Sequence, residues 1–365
     1  MTERAAALVH GATGFTGKLV CAVLARNKIP FAISGRNRSK LEALAQSLEA
    51  VVGRPIEIAV VDIADGESIR AALEGRKVVS ACAGPFIEIG EPILAAAARR
   101  GVHYADTTGE QKFVALAVAR YAEAAEFSGA CVVPALAYEI APGDWAAHVA
   151  AEKVGQDPDE INVVYMQMPG ASMQQSTSRG TKLSIIAMTA DGDPKQFVEG
   201  ELRDEAPATV VRAFQTPSGR KLWSASFPSP ESVVIPSHTG AKTVRTFMAM
   251  GKTAAKAMQA TRSVTPSILR LLKAPLQKLV ARSTEGPEGP GRDAKFHILA
   301  EATKAGRIER VFFSGSDPYG LTAEIQALFI ERALAGKITA RGVVAPSVAI
   351  SPEAALESLG SLLMS

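Results

Sequence analysis

Short apolar runs alternate with longer stretches of helical period along the first third of the chain. Ala5–His10 is such a run; after a glycine-rich turn, Leu19, Val20, Val23 and Leu24 fall on one helix face. Phe31–Ser34 reads as a second strand, Leu41, Leu44 and Leu48 mark a second helix, and Ile56–Val61 is a third strand that ends at Asp62. Lys77–Ala81, leading to Gly84-Pro85, is a fourth, and Val102–Ala105 and Cys131–Pro134 follow, with helices over 91–100 and 111–127. This alternation predicts right-handed crossovers and a parallel, doubly wound sheet. After Asp144 the texture changes. Ile161–Met168, Gln196–Leu202, Thr209–Phe214, Lys221–Phe227, Val233–Pro236 and Val244–Met250 read as β runs with short connections. Ala294–Thr303 and Arg307–Gly315 form a hairpin across Lys304-Ala305-Gly306. Strands clustered without helices predict an antiparallel sheet in a separate α+β region.

Composition narrows the class without adding to the fold. A chain of 365 residues suits two domains, and 47% hydrophobic with 21% charged residues excludes disorder, collagen-like repeats and a disulfide scaffold. Forty basic against 37 acidic residues, a net charge of +3, argues against nucleic acid as a partner. Cys21, Cys82 and Cys131 lie far apart without metal-ligand spacing, and are read as buried apolar side chains in a reducing cytoplasm. No apolar run reaches membrane-spanning length, and the start, MTERAAALVHGATG, reads as a first strand and not as a signal peptide.

The first turn carries the chemistry. Gly11-Ala12-Thr13-Gly14-Phe15-Thr16-Gly17 sits between a strand and a helix. Glycines let the backbone approach a pyrophosphate, and the amides of the helix start favour the anion. The spacing is G-x-x-G-x-x-G; a Walker loop fails because Ala12 replaces its first glycine and Leu19 its hydroxyl residue. The second strand ends in Ser34-Gly35-Arg36-Asn37-Arg38-Ser39-Lys40, with cations where an NAD enzyme usually places an acid. Guanidinium groups bind a 2′-phosphate that a carboxylate would repel, so the expected cofactor is NADP(H). Asp62 is placed to meet adenine or, equally, to cap the next turn. Ala83, Gly84 and Pro85 would pass close to the pyrophosphate and nicotinamide ribose.

GATGFTG, SGRNRSKLEAL, AGPF…GEPILAAAARRGVHYADTTGE and VPALAYEIAPGDW together resemble the saccharopine-dehydrogenase-like oxidoreductases. Within that group the chain is most similar to the branch of trans-acting enoyl reductases. Ser178-Arg-Gly-Thr181 resembles that branch's S-x-G-T segment, and Glu285–Arg292 its Gly/Pro-rich segment before a late hairpin. The resemblance implies NADP(H)-dependent hydride transfer on an α/β fold: a Rossmann-type doubly wound sheet with a second α+β substrate domain. It implies a nucleotide domain over 1–143, completed by 320–365, and a substrate domain over 144–319. The helical stretch Leu321–Leu334 and the tail 343–364 are expected to return to the first domain.

Hydride transfer also needs a proton source. Tyr138, after the sixth strand, is the first candidate, and Glu110 the second, as general acid or orienting group. Their bland alternatives are packing for Tyr138 and a helix-start carboxylate for Glu110. His103, His148, His238 and His297 stand singly, nothing links them to a metal or base pair, and no metal is expected. Neither Tyr121 nor Tyr138 has a lysine four residues on, which argues against a short-chain carbonyl reductase.

One stretch departs from the balanced charge. Residues 241–283 hold nine cations and no acid, with an apolar helical pattern through Ile268, Leu269, Leu271, Leu272, Leu276, Leu279 and Val280, interrupted at Pro275. It suits an acidic acyl carrier protein, an anionic membrane surface that would make the cytoplasmic protein peripheral, or a helix that covers its own sheet. The leading reading is reduction of a C=C bond in a hydrophobic, carrier-bound or acyl substrate. A C=N amino-acid dehydrogenase, with Arg179 and Arg245 converging on carboxylates, and a non-catalytic NADP-binding surface protein are the alternatives. A homodimer is left open.

Overall fold

A computed structural model describes residues 4–167, 177–190, 194–216, 219–263, 265–283, 286, 294–360 and 362–364. Contacts divide the chain into two compact units: residues up to Thr108, Phe113–Tyr138 and Tyr319–Ile350 in the first, and Gly109–Lys112, Glu139–Pro318 and Ser351–Ser365 in the second.

The first unit is built on β1 (Ala7–His10), β2 (Ala32–Gly35), β3 (Glu57–Val60), β4 (Val78–Ala81), β5 (His103–Asp106) and β6 (Cys131–Val133). The strands pair in parallel in the order 3-2-1-4-5-6, and Gly342–Val343 adds a seventh beside β6. Between them run α1 (Phe15–Arg26), α2 (Arg38–Val52), α3 (Gly66–Leu73), α4 (Phe86–Ile89), α5 (Glu91–Arg100) and α6 (Gln111–Ser128). Strands β1, β2 and β4 are buried at every position, as a parallel sheet covered on both faces requires. Leu8, Val79, Tyr104, Leu94, Phe113 and Val132 belong to its core. The strand order reverses between β1 and β4, which is where such a sheet binds ligands.

The second unit begins with α7 (Ala141–Val154), β7 (Glu160–Gln167) and α8 (Arg179–Ala190). β8 (Lys195–Val198), β9 (Glu201–Asp204), β10 (Val211–Gln215) and β11 (Lys221–Phe227) follow. Next come α9 (Glu231–Val234), α10 (Pro236–Thr239), β12 (Val244–Ala249), α11 (Lys252–Thr261), α12 (Thr265–Ala281), and the long hairpin β13 (Lys295–Lys304) and β14 (Arg307–Ser316). The main path of its sheet runs β10-β11-β12-β7-β13-β14, closed by Leu363–Met364 against β14. Val164, Met166, Phe214, Phe247 and Leu299 form a core on it, and α7 packs along β7, β13 and β14.

Several expectations need correction. The second sheet is mixed, because β12 pairs with β7 in parallel. Gln196–Leu202 is not one strand: Glu199 and Gly200 take positive φ (53° and 86°) and reverse the chain between β8 and β9. Val233–Pro236 is helical, since a four-residue apolar run does not separate strand from helix and Pro236 starts the turn of α10. Pro275 does not interrupt α12. It removes one hydrogen bond to Leu271, an exposed residue whose carbonyl water can serve, while the helix packs on α8. The last strand, Leu363–Met364, joins the second sheet and not the first unit. Met168 and, apart from Gly286, the 285–292 segment lie outside the described residues.

Candidate functional site

The glycine loop connects β1 to α1 at the switch point of the first sheet. Gly11 has φ +75°, and a Cβ there would stand 2.8 Å from both the Cβ and N of Ala83, just past β4. A Cβ on Gly17 would run into the Gly11 carbonyl and stand 2.8 Å from the Ala12 Cα. The loop is pinned from below: the Ser34 carbonyl accepts from the Gly11 and Ala12 amides at 2.9 and 3.1 Å, and the Gly11 carbonyl from the Gly14 amide at 3.0 Å. Gly14 caps α1 in extended conformation without a side-chain bond, and the first turn holds no acid. The amides of Phe15, Thr16 and Gly17 therefore have neither a helical acceptor nor a competing carboxylate, which suits an anion. Thr13 Oγ1 lies about one van der Waals contact above the end of β2, 4.0 Å from a Cβ built on Gly35. The Phe15 ring meets Tyr319 edge-on at 5.2 Å, so this residue offers a ligand its amide.

Beyond β2, Arg36, Asn37 and Arg38 are exposed. Asn37 caps α2, its side chain accepting from the Lys40 amide at 2.9 Å. Arg38 lies 3.8 Å from Glu42, whereas Arg36 has no carboxylate partner among the described residues. Ser34 is buried, and its hydroxyl lies 3.0 Å from Nδ1 of His10, the last residue of β1. Burial lowers the His10 pKa to about 4, so its ring is neutral beneath the loop. Asp62 is exposed; its carboxylate accepts from the Ala64 amide at 3.0 Å, and Ser68 bonds its backbone on both sides, which is the capping alternative. Ala83 and Pro85 are half-buried and Gly84 exposed, against the loop. This cradle fits a dinucleotide: the first-turn amides could hold a pyrophosphate, and Arg36 could meet a 2′-phosphate.

The two proton-donor candidates fall in different units. Tyr138, in the first, is buried, and its amide donates to Thr322 Oγ1 at 3.1 Å. Glu110, in the second, is buried and accepts from the Ser184 hydroxyl of α8 at 2.8 Å. Arg245 bonds Glu205 through Nε at 3.1 Å and Nη2 at 2.9 Å, and so is already engaged by a carboxylate of its own chain.

The structure also joins histidines that the sequence left single. Asp144, His148 and Glu152 recur every four residues along α7, and His238 of α10 comes between them. His238 Nε2 lies 2.6 Å from Asp144 Oδ1, its Nδ1 3.2 Å from Nδ1 of His148, and His148 Nε2 3.5 Å from Glu152. With Asp144 ionised, His238 donates from Nε2, so His148 must donate from Nδ1 and leave Nε2 towards Glu152. Burial works against protonation of His238, but the Asp144 charge and hydrogen bond outweigh it and raise the pKa. Nearby, buried Glu231 accepts from Tyr165 at 2.5 Å and from Ser229. Burial, with a contribution from Asp144, raises its pKa to about 7. Gly143 completes the packing: a Cβ there would run into the Tyr165 hydroxyl and stand 3.2 Å from Glu231 Oε1. The four-residue spacing on α7 was visible in the sequence; its partners, far along the chain, were not. Among the described residues, no group of three or more His, Cys, Asp or Glu is arranged to hold a metal.

Residues 7–133 match the saccharopine dehydrogenase NADP-binding domain. The first unit thus carries an NADP(H)-binding domain. The chain is 31% identical over 150 residues to a human saccharopine dehydrogenase-like oxidoreductase, covering 38% of this chain and 35% of that protein. It is 31% identical over 196 residues, 51% of this chain and 45% of the other, to a Mycobacterium tuberculosis protein named as a trans-acting enoyl reductase. A Caenorhabditis elegans lipid droplet localized protein is 25% identical over 238 residues, 63% and 55% of the two chains. The match thus spans about a third of the length of the human relative. The chain is related to the saccharopine-dehydrogenase-like oxidoreductases, with a trans-acting enoyl reductase among its relatives, and its cofactor is NADP(H).

Proposed function

We propose that the protein is an NADPH-dependent reductase of a C=C bond in a hydrophobic acyl substrate, free, CoA-linked or carrier-bound. The observation that carries the cofactor half is the cradle in which Gly11 abuts Ala83 and Arg36 has no carboxylate partner among the described residues. The substrate half is supported by the likeness to the trans-acting enoyl reductase. Engagement of Arg245 by Glu205 counts against an amino-acid substrate, whose carboxylates would need free guanidinium groups.

When bound, NADPH supplies the hydride. The chain's own residues then have three tasks. The amides of Phe15, Thr16 and Gly17 hold the pyrophosphate, and Arg36 selects the 2′-phosphate. Tyr138 gives its phenolic proton to the substrate carbon next to the carbonyl as charge develops there, with Glu110 the second candidate for that role. The test is NADPH oxidation by purified protein with an enoyl thioester, a 2-keto acid plus amine, and a ketone. Turnover of the enoyl thioester, slowed by about 10²-fold or more in Tyr138→Phe, is the expected result. Oxidation confined to the keto acid and amine would replace this reading by C=N reduction.

A further inference from the structure

Helix α12 carries two apolar faces where one is needed. Thr265, Lys273, Leu276, Gln277 and Val280 are half-buried on the side that packs against α8. A second stripe points outward: Ile268, Leu272 and Leu279 recur at i, i+4 and i+11, with Leu271 beside them and Pro275 between. Leu271 is 82% exposed and Leu279 67%. Met258, on the preceding α11, is exposed as well.

The charges around the stripe have one sign. Of the nine cations in 241–283, Lys242 pairs with Asp159, Arg245 with Glu205, and Lys252 sits over the Trp223 ring at 4.8 Å. Lys256, Arg262, Arg270, Lys278 and Arg282 are exposed and have no carboxylate partner among the described residues. Arg282 falls on the stripe's own line, and Lys278 at its flank. A second copy of the chain would bring these cations against their equals, which disfavours self-association. An acidic carrier protein would answer the cations but leave four large apolar side chains in water. An anionic bilayer surface takes both: the apolar stripe enters the acyl boundary while the cations meet lipid phosphates.

We propose that α11 and α12 form a docking surface for an anionic lipid bilayer, with Ile268, Leu271, Leu272 and Leu279 as the inserted side chains and Lys278 and Arg282 among the headgroup contacts. Among the described residues, no helix is long and apolar enough to cross a membrane, so the contact is peripheral. The inference does not depend on the reductase reading, since retention on a membrane needs no substrate.

The test is co-sedimentation of the full chain with vesicles of phosphatidylcholine alone and of phosphatidylcholine with phosphatidylglycerol. Retention on the anionic vesicles, weakened by salt, is expected. Leu271→Ser with Leu279→Ser, and separately Lys278→Glu with Arg282→Glu, should each lower the partition coefficient about tenfold or more. Both pairs change exposed side chains, and unchanged NADPH binding and melting temperature would report an intact fold. The proposal is overturned if the parent stays in the supernatant with both vesicles, or if the variants sediment like the parent. It is equally overturned if the leucine pair converts a solution dimer to monomer, or if an acidic acyl carrier protein is bound while vesicles are not.

Discussion

Arg36 stands at the carboxyl end of β2 with its charge unanswered by any carboxylate among the described residues, while its neighbour Arg38 leans on Glu42 and Asn37 closes the helix start. Three adjacent polar residues therefore have three different tasks, which their shared exposure conceals. Arg36→Ala is expected to weaken NADPH binding by about one to two decades, the worth of a charged bidentate contact, and to leave NADH binding nearly unchanged. Arg38→Ala should do less, because Glu42 already competes for its guanidinium. Isothermal titration with both nucleotides checks this; equal losses for the two nucleotides would remove the 2′-phosphate role.

At the scale of elements, the first turn of α7 is held close to β7 and α9 because residue 143 has no side chain. Gly143→Ala would force a methyl into the Tyr165 hydroxyl and within 2.9 Å of Val163 Cγ1. Destabilisation of about 1–3 kcal/mol, read in denaturant midpoints, is expected. Its place in VPALAYEIAPGDW did not say why residue 143 is a glycine, since it has neither a positive φ nor a turn to announce it. The same limit explains what was legible elsewhere. Strands β1 to β6 stood out because each lies in a short apolar run closed by a turn signal, and the glycine loop because its spacing is local. Gly342–Val343 is too short for any periodicity. The reversal at Glu199-Gly200 hides behind a glutamate in a conformation that glutamate seldom adopts. The Asp144–His238–His148 array needs α10 folded onto α7, and no window of sequence contains both.

For the molecule as a whole, two buried groups set opposing responses to pH. Glu231 titrates near 7 when folded and near 4.5 when unfolded, so the folded state holds more protons in that interval. Its stabilising contribution is complete below 4.5 and lost as pH rises through about 7. His10 runs the other way: with a pKa lowered from 6.5 to about 4, its contribution is present above 6.5 and lost as pH falls towards 4. Each is worth on the order of 3 kcal/mol and the two windows overlap, so their slopes largely cancel between 4.5 and 6.5. Separating them is direct. Relative to the parent, Glu231→Gln should gain melting temperature as pH rises from 5 to 8, and His10→Asn should gain as pH falls from 7 to 4.5. A difference that stays flat with pH for either variant would remove that group from the balance.

The seventh strand of the first sheet has a consequence in time. On a ribosome, β6 emerges with one edge unpaired, and its partner at Gly342–Val343 follows only after Glu139–Pro318 of the second unit has been made. That is a delay of roughly 200 residues, or tens of seconds at ordinary rates of synthesis. During that interval the nascent chain carries an open β edge capable of pairing with a neighbour's. The protein is therefore most exposed to misassembly while it is being made, and a chaperone that shields that edge would serve it best before Gly342–Val343 appears.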